Sequence, residues 1–452
     1  MVRYVTQQNV YIVSLGCAKN LVDSEVMLGT LIASGYQIVL SPAEAQIAII
    51  NTCAFIDEAK KESVDTIIEI GREKKSGSLK QLIVSGCLPQ RYREVLAELL
   101  PEVDIFIGTE EFHRITEILE LNKNRRQPAF YLGQRRYLYD HTTPRINTSG
   151  PGSAYVKISE GCSNRCSFCI IPRIRGPFRS RSAESVIQEV TNLSQQGVRE
   201  INLISQDNTL YGIDRKDDAN LADLLRQLVR ISGIEWVRPL YLNPQTLSGE
   251  LISFMGEETT QCRYIDMPVQ HCTARILAAM HRPYNRDFLC RLIDTLRKNI
   301  PGVTLRTTLL VGFPGESDAD FEELCAFVVD MEFDHLGVFA YSPEEGTKAA
   351  RLSRQIPEDV KKDRRDHILG LQAVVSERKN RALEGTLQKV LVEQVEGNHA
   401  VGRCVGQAPE VDGKTMITAP IPLVPGCFYD TLIAQSSTYD LIGTIFSSSG
   451  IK

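Results

Sequence analysis

The chain of 452 residues has one tryptophan, seven histidines and no surplus of positive charge: 51 Lys and Arg stand against 56 Asp and Glu, a net charge of −5. A dedicated nucleic-acid binder shows a global basic field, so the balance argues against RNA or DNA as the main partner, although a local basic patch is compatible with the total. No run approaches the roughly 18 apolar residues of a membrane span. The apolar run Val10–Leu15 is too short for the core of a secretory signal and has no basic flank, which predicts a cytoplasmic protein without membrane contact. No strand-like run leads into Gly-x-Gly-x-x-Gly, so a dinucleotide site has no support. There is no internal repeat and no low-complexity tract. Against these absences stand twelve cysteines. In a reducing compartment they are ligands, nucleophiles or small buried residues rather than disulfides.

A hydrophobic content of 43% and a charged content of 24% fit an ordinary globular chain, and the length predicts about three domains. Residues 1–140 alternate strands and helices. The runs Val10–Leu15, Ile47–Ile50 and Leu82–Val84 look like buried parallel strands, with helical patterns at Ser24–Ser34 and Ala59–Ile70, giving an open α/β domain. The stretch Leu121–Gly152, with Arg125, Arg126, Arg135, Arg136, Pro128, Pro144 and Pro151 and little periodicity, is expected to be a junction. Residues 141–383 form a second α/β unit. Its strands are predicted at Ala154–Ile158, Glu200–Ile204, Trp236–Leu240, Arg263–Met267, Leu305–Val311 and Leu336–Ala340, six β–α units that suggest a partial barrel. A charged helix is expected over Pro357–Glu384. Residues 384–452, rich in Val, Thr, Gly and turns, read as a small antiparallel β-barrel.

The segment Gly161–Pro172, GCSNRCSFCIIP, spaces Cys162, Cys166 and Cys169 just after the first barrel strand. Soft thiolates this close select iron–sulfur clusters, zinc or copper(I). Structural zinc takes four ligands, and only three are local. A zinc knuckle or three buried thiols are the alternatives. The spacing, with Phe168 before the third cysteine, resembles the signature of the radical S-adenosylmethionine (SAM) superfamily. That resemblance implies a 4Fe-4S cluster whose open iron chelates the amino and carboxylate groups of SAM and whose electron cleaves the sulfonium to a 5′-deoxyadenosyl radical.

Cys17, Cys53 and Cys87 each end an apolar run, in SLGC, NTC and SGC. Ligands of open α/β sheets gather beyond the carboxyl ends of the strands, so these thiols could converge; three semi-buried cysteines are the alternative. Together VSLGCAKNLVDSE, INTCAFIDEAKKES, GCLPQRY, IPRIRGPFRSR and LLVGFPGE resemble the methylthiotransferase family over nearly the whole chain. The resemblance implies a second 4Fe-4S cluster on Cys17, Cys53 and Cys87, and a TRAM-like C-terminal barrel. SLGCAKNLVDSE, DMPVQH (Asp266–His271), FAYSPEEGT (Phe339–Thr347) and YDLIG (Tyr439–Gly443) are RimO-like. That branch adds a methylthio group to the β-carbon of an aspartate in the twelfth small-subunit ribosomal protein, while the MiaB-like branch modifies a transfer-RNA adenosine. The pattern departs at Leu242-Asn243-Pro244, where an aromatic is expected before proline, and at Cys272.

From Glu384 to Lys452 seven acids face four bases, a net −3. Binding an RNA backbone rests on Lys and Arg, so this barrel suits a basic ribosomal protein better than tRNA. The implied chemistry uses one SAM to methylate a sulfur at the second cluster and another to form the radical, which takes an unactivated hydrogen that no side-chain base could remove. A low-potential donor such as a flavodoxin or ferredoxin is implied as partner. Phe168, Gly312 and Glu316 are expected SAM contacts; for Gly312–Glu316 a tight structural turn is equally open. Arg173, Arg175, Arg179 and Arg181 balance the anionic clusters or hold the SAM carboxylate, or else form a solvated basic turn. His271 faces substrate or hydrogen-bonds in the core. Cys262, Cys290, Cys325, Cys404 and Cys427 are expected to be packing residues.

Overall fold

A computed structural model of the chain describes residues 8–446 apart from 124, 126, 135, 218 and 259–261. Arg126, Arg135 and Lys452 lie outside the described residues. Strands β1 (Asn9–Ser14), β2 (Gln37–Ile38), β3 (Ile47–Thr52), β4 (Gln81–Gly86), β5 (Ile105–Ile107) and β6 (Ala129–Tyr131) form one parallel sheet in the order β2-β1-β3-β4-β5-β6. β3 and β4 are buried almost throughout, which is why they read as unbroken apolar runs. The first helix runs Ala18–Ala33 rather than from Ser24, because extended Cys17 caps it directly after the strand. The chain changes direction across the sheet at β1, a topological switch point.

The expected junction is not merely a linker. It contributes β6, three residues too short to show a period, and then a strap held by Arg145. That guanidinium bonds Glu25 (2.9 Å) on the first helix and Glu189 (2.5 Å) on the barrel helix Ala183–Gln195. The strap fixes the first unit against the second.

β7 (Ser153–Lys157), the short pair β8 (Ser159–Glu160) and β9 (Arg179–Ser180), then β10 (Glu200–Ile204), β11 (Trp236–Pro239), β12 (Tyr264–Asp266), β13 (Thr304–Val311) and β14 (His335–Ala340) follow. Parallel sheets β11-β10-β7 and β12-β13-β14 are stitched by Cys262 N–H to Val237 O (3.0 Å) and Leu242 N–H to Asp266 O (2.8 Å). The result is a six-stranded open barrel. Its outer helices bury Val186, Val190 and Leu193, and Leu224, Leu225 and Leu228, against the strands.

The helix Glu358–Arg381 leads to β15 (Leu387–Glu396), β16 (His399–Cys404), β17 (Thr415–Thr418), β18 (Phe428–Ser436) and β19 (Leu441–Ile445), a closed barrel in the order β15-β16-β17-β19-β18. It is not wholly antiparallel. β17 and β19 pair in parallel, because β18 crosses to β15 before the chain returns to β17. Buried Glu200 on β10 takes Arg403 of this barrel at 2.5 Å and Arg238 at 3.2 Å. Asp412 accepts from the Tyr264 hydroxyl (2.5 Å) and Arg306 Nε (3.3 Å). Asp412 therefore lies inside the joint and adds nothing to an acidic outer surface.

Candidate active site between two cysteine triads

β1, β3 and β4 are neighbours in the sheet, and their carboxyl ends carry Cys17, Cys53 and Cys87. Strand spacing near 5 Å makes three such loops adjacent by construction. Gly16 (φ +88°) turns the chain where a Cβ would stand 2.6 Å from Cys53 Cβ, so only glycine lets these two loops touch. Asn20 ties the loops together. Its Nδ2 donates to Leu15 O and Thr52 O, both at 3.0 Å, and its Oδ1 lies 3.8 Å from Cys87 Sγ. Ser63 brackets Cys53, accepting from its N–H and donating to its carbonyl.

The three thiols differ in electrostatics. Burial pushes Cys87 up to about 12. Burial and the neighbouring Cys17 raise Cys53. At Cys17 the crowding of protein is outweighed by Lys19 and Arg175, and its thiol is lowered from 9.0.

Cys162, Cys166 and Cys169 follow β8 in a loop shaped by Gly161 (φ +75°), where a Cβ would meet Pro177 O at 2.1 Å. Cys162 N–H donates to Gly176 O and Cys169 N–H to Cys166 O. Asn164 Nδ2 donates to buried Asp207 (2.7 Å), and Ser167 Oγ to Ala279 O (2.7 Å). The three cysteines line a cavity of about 490 Å³ whose rim includes Arg173, Pro177, Thr347 and Lys348. Burial raises Cys162 to about 11 and Cys169 to about 12. All twelve cysteines are free. Among the described residues no three side chains of His, Cys, Asp or Glu gather round a single point. Each triad supplies three thiols, a soft donor set that fits an iron–sulfur cluster.

The four arginines part company. Arg175 is fully buried; its guanidinium donates to Glu160 (3.0 and 3.1 Å), Asn20 (2.6 Å) and Asp23 (3.1 Å). Lys157 bonds the same two acids at 2.5 and 2.7 Å. Burial works to raise the Glu160 carboxyl, but Arg175 and Lys157 hold it far below the usual range. Arg181 is buried on Glu189, and Arg179 reaches Glu110. Arg173 is exposed and lines the cysteine cavity. Only Arg173 resembles the solvated basic turn that was one expectation, because carboxylates from neighbouring elements draw the other three in.

Gly312 (φ +71°) abuts Lys361. Glu316 is buried, accepting from the N–H of Gly312 (3.0 Å) and Phe313 (3.4 Å) and from Arg364 (2.8 Å). The geometry at these two positions is that of a clasped turn. Phe168 packs beside Phe313, Tyr341 and Ile276, joining that turn to the cysteine loop. His271 is fully buried, with Nδ1 at 3.1 Å from Thr273 N and Nε2 at 3.6 Å from Glu316, so it belongs to the core. Cys262, Cys272 and Cys404 are buried, and Cys290, Cys325 and Cys427 half-buried. Sequence reasoning missed Asn20, Lys157 and Glu160; nothing in their spacing marks them.

The Radical SAM superfamily profile matches residues 156–328, the TRAM domain profile 385–446, and the profile described as Uncharacterized protein family UPF0004 matches 9–108. In fold the chain is similar to TsrM, a radical S-adenosylmethionine methyltransferase from Kitasatospora setae solved with tryptophan and a SAM analogue. The TM-score is 0.59 at 14% identity, over 83% of this chain and 90% of that one, a likeness of fold alone. The ribosomal protein uS12 methylthiotransferase RimO of Syntrophotalea carbinolica is 49% identical over 98% of both chains. That of Pelobacter propionicus is 48% identical over 97% of this chain and 98% of its own. With such identity along nearly its whole length, the chain belongs to the ribosomal protein uS12 methylthiotransferase RimO family of radical SAM enzymes.

Proposed function

We propose that the chain is a cytoplasmic enzyme that adds a methylthio group to the β-carbon of an aspartate in ribosomal protein uS12, with units at 1–140, 141–383 and 384–452. The observation that carries this reading is the pair of separate cysteine triads opening at the carboxyl ends of two adjoining parallel sheets. Cys162, Cys166 and Cys169 would hold one 4Fe-4S cluster together with SAM, and Cys17, Cys53 and Cys87 the other. When bound, these groups supply radical chemistry at an unactivated C–H and a sulfur to place there. The chain's own residues position them. Gly16 and Asn20 set the second triad, while Gly161, Asn164 and Ser167 fix the first. Phe168, Gly312 and Glu316 shape the SAM side, the latter two by clasping a turn. The buried lattice of Arg175, Lys157, Asp23 and Glu160 locks the two sites together. A low-potential electron donor such as a flavodoxin or ferredoxin supplies electrons. The ribosomal name of the relatives favours uS12 over tRNA.

The test is anaerobic reconstitution followed by mass spectrometry of small-subunit proteins and of tRNA. Methylthiolated uS12, unmodified tRNA and two SAM consumed per product are expected. Iron should stand at about eight per chain and fall to about four in Cys17→Ala or Cys162→Ala. Modified tRNA, or one SAM per product, would overturn the reading.

A further inference from the structure

Among the described residues, Lys19 is the buried cation that lacks the carboxylate partner the other buried lysines and arginines have. Three lysines and five arginines are buried among the described residues. Lys157 rests on Asp23 and Glu160, Lys361 on Glu358, and the five arginines on Glu160, Glu189, Glu200 or Glu316. Lys19, 6% exposed, has no carboxylate partner among the described residues. Its Nζ lies instead over the ring of Tyr241, 3.5 Å from the centroid.

The place matters as much as the missing partner. Lys19 is two residues beyond Cys17, in the first turn of the Ala18–Ala33 helix. Tyr241 comes from the other unit, just past the carboxyl end of β11, the end at which barrels build their sites. It adopts a left-handed conformation (φ +55°), held by its N–H on Asp266 Oδ2 (3.0 Å) and by Asn208 N–H on its carbonyl (3.0 Å). Asp207, beside Asn208, bonds Asn164 in the loop between Cys162 and Cys166. The ammonium therefore sits in the seam between the two triads.

A buried ammonium is costly unless paired. An aromatic face satisfies only one side of it, and it has three N–H donors to place. We infer that Lys19 is the substrate-carboxylate anchor: its ammonium takes the side-chain carboxylate of the target aspartate and so presents the adjacent β-carbon to the cleft. This deepens the proposed function and rests on it. An anchor of this kind recognises an acidic side chain and discriminates against its neutral amide, because pairing removes the anion's desolvation cost only when the anion is there.

The experiment measures the affinity of fluorescently labelled uS12, and of the same protein with the modified aspartate changed to asparagine, for reconstituted wild type, K19M and K19R. Iron content and low-temperature EPR are recorded alongside. Wild type is expected to prefer the aspartate form by about 10- to 100-fold, the range of a charge-assisted hydrogen bond. K19M loses that preference by weakening the aspartate form alone, K19R keeps most of it, and iron and EPR signals stay unchanged. If K19M loads less iron, the same two affinities on the iron-free proteins decide. The inference is overturned if K19M retains the preference. It is equally overturned if K19M weakens both forms alike while altering the EPR signal, since the ammonium would then serve the group on Cys17. A wild type that modifies no ribosomal protein would sink the proposed function instead, a separate result.

Discussion

Arg175 and Asn20 meet across the seam between the first two units: Arg175 Nη2 donates to Asn20 Oδ1 at 2.6 Å, and that same oxygen lies 3.8 Å from Cys87 Sγ. A residue six places after Cys169 is thus one hydrogen bond from the other triad. The contact is buried and shares its guanidinium with Glu160 and Asp23, so the cysteine loops cannot shift independently.

Arg175→Gln removes the cation and leaves Asp23 and Glu160 with Lys157 alone. Breaking a buried pair from one side costs about 3–5 kcal/mol, so urea unfolding of the metal-free protein should lose stability on that scale. Arg175→Lys should recover little of it, since an ammonium cannot fork to Glu160 and Asn20 together. Wild-type stability in either variant would contradict this account of the seam.

Thiol chemistry of the iron-free protein should follow the local field. Lys19 and Arg175 lower the exposed Cys17, whereas burial holds Cys87 near 12. Thiolate is the reactive form, so within this triad iodoacetamide near pH 7.5, read by peptide mass spectrometry, should label Cys17 first and Cys87 last. Raising the pH should narrow the gap, as more of the high-pKa thiol ionises. Equal rates at neutral pH would show that the field argument fails.

Gly16→Ala should strike the second triad and spare the first. The new Cβ meets Cys53 at 2.6 Å in a backbone conformation (φ +88°) that favours glycine, a strain of roughly 1–3 kcal/mol. Iron analysis after anaerobic reconstitution is expected to show the loss of about four irons per chain, with SAM binding preserved.

Docking of the C-terminal barrel should weaken in acid. Burial works to raise the Glu200 carboxyl, but Arg403 and Arg238 overcome it and hold it near 2, below its ordinary 4.5. A depressed carboxylate stabilises the folded state above its unfolded pKa, and that contribution fades as pH falls towards the folded value. Glu200→Gln should therefore melt below wild type at pH 7, and the difference should shrink between about pH 4.5 and 2. Differential scanning calorimetry across that window reads it directly.

Much of the architecture was open to inspection before any coordinates. β3 and β4 are buried on both faces and announce themselves as apolar runs, and Cys162–Cys169 lie close enough in sequence to declare a shared site. Short elements stayed hidden: β2 has two residues and β6 three, too few for a period. The parallel pairing of β17 with β19 was hidden too, because alternation gives a strand's faces but not its neighbour's direction.

Residue types and spacing by themselves determined the α/β character of the first two regions, the β-rich terminal one and the shared site of Cys162, Cys166 and Cys169, because strand periodicity and close ligand spacing are local properties of the chain; the family and the second cluster on Cys17, Cys53 and Cys87 came from the resemblance of the motifs. Only the tertiary structure decided that Arg175 serves the seam rather than the solvent, that Glu316 closes a turn, and that Lys19 is buried with no acid beside it among the described residues. Whether a charge is paired depends on residues brought from far along the chain, and burial makes that pairing matter by removing the water that would otherwise screen it.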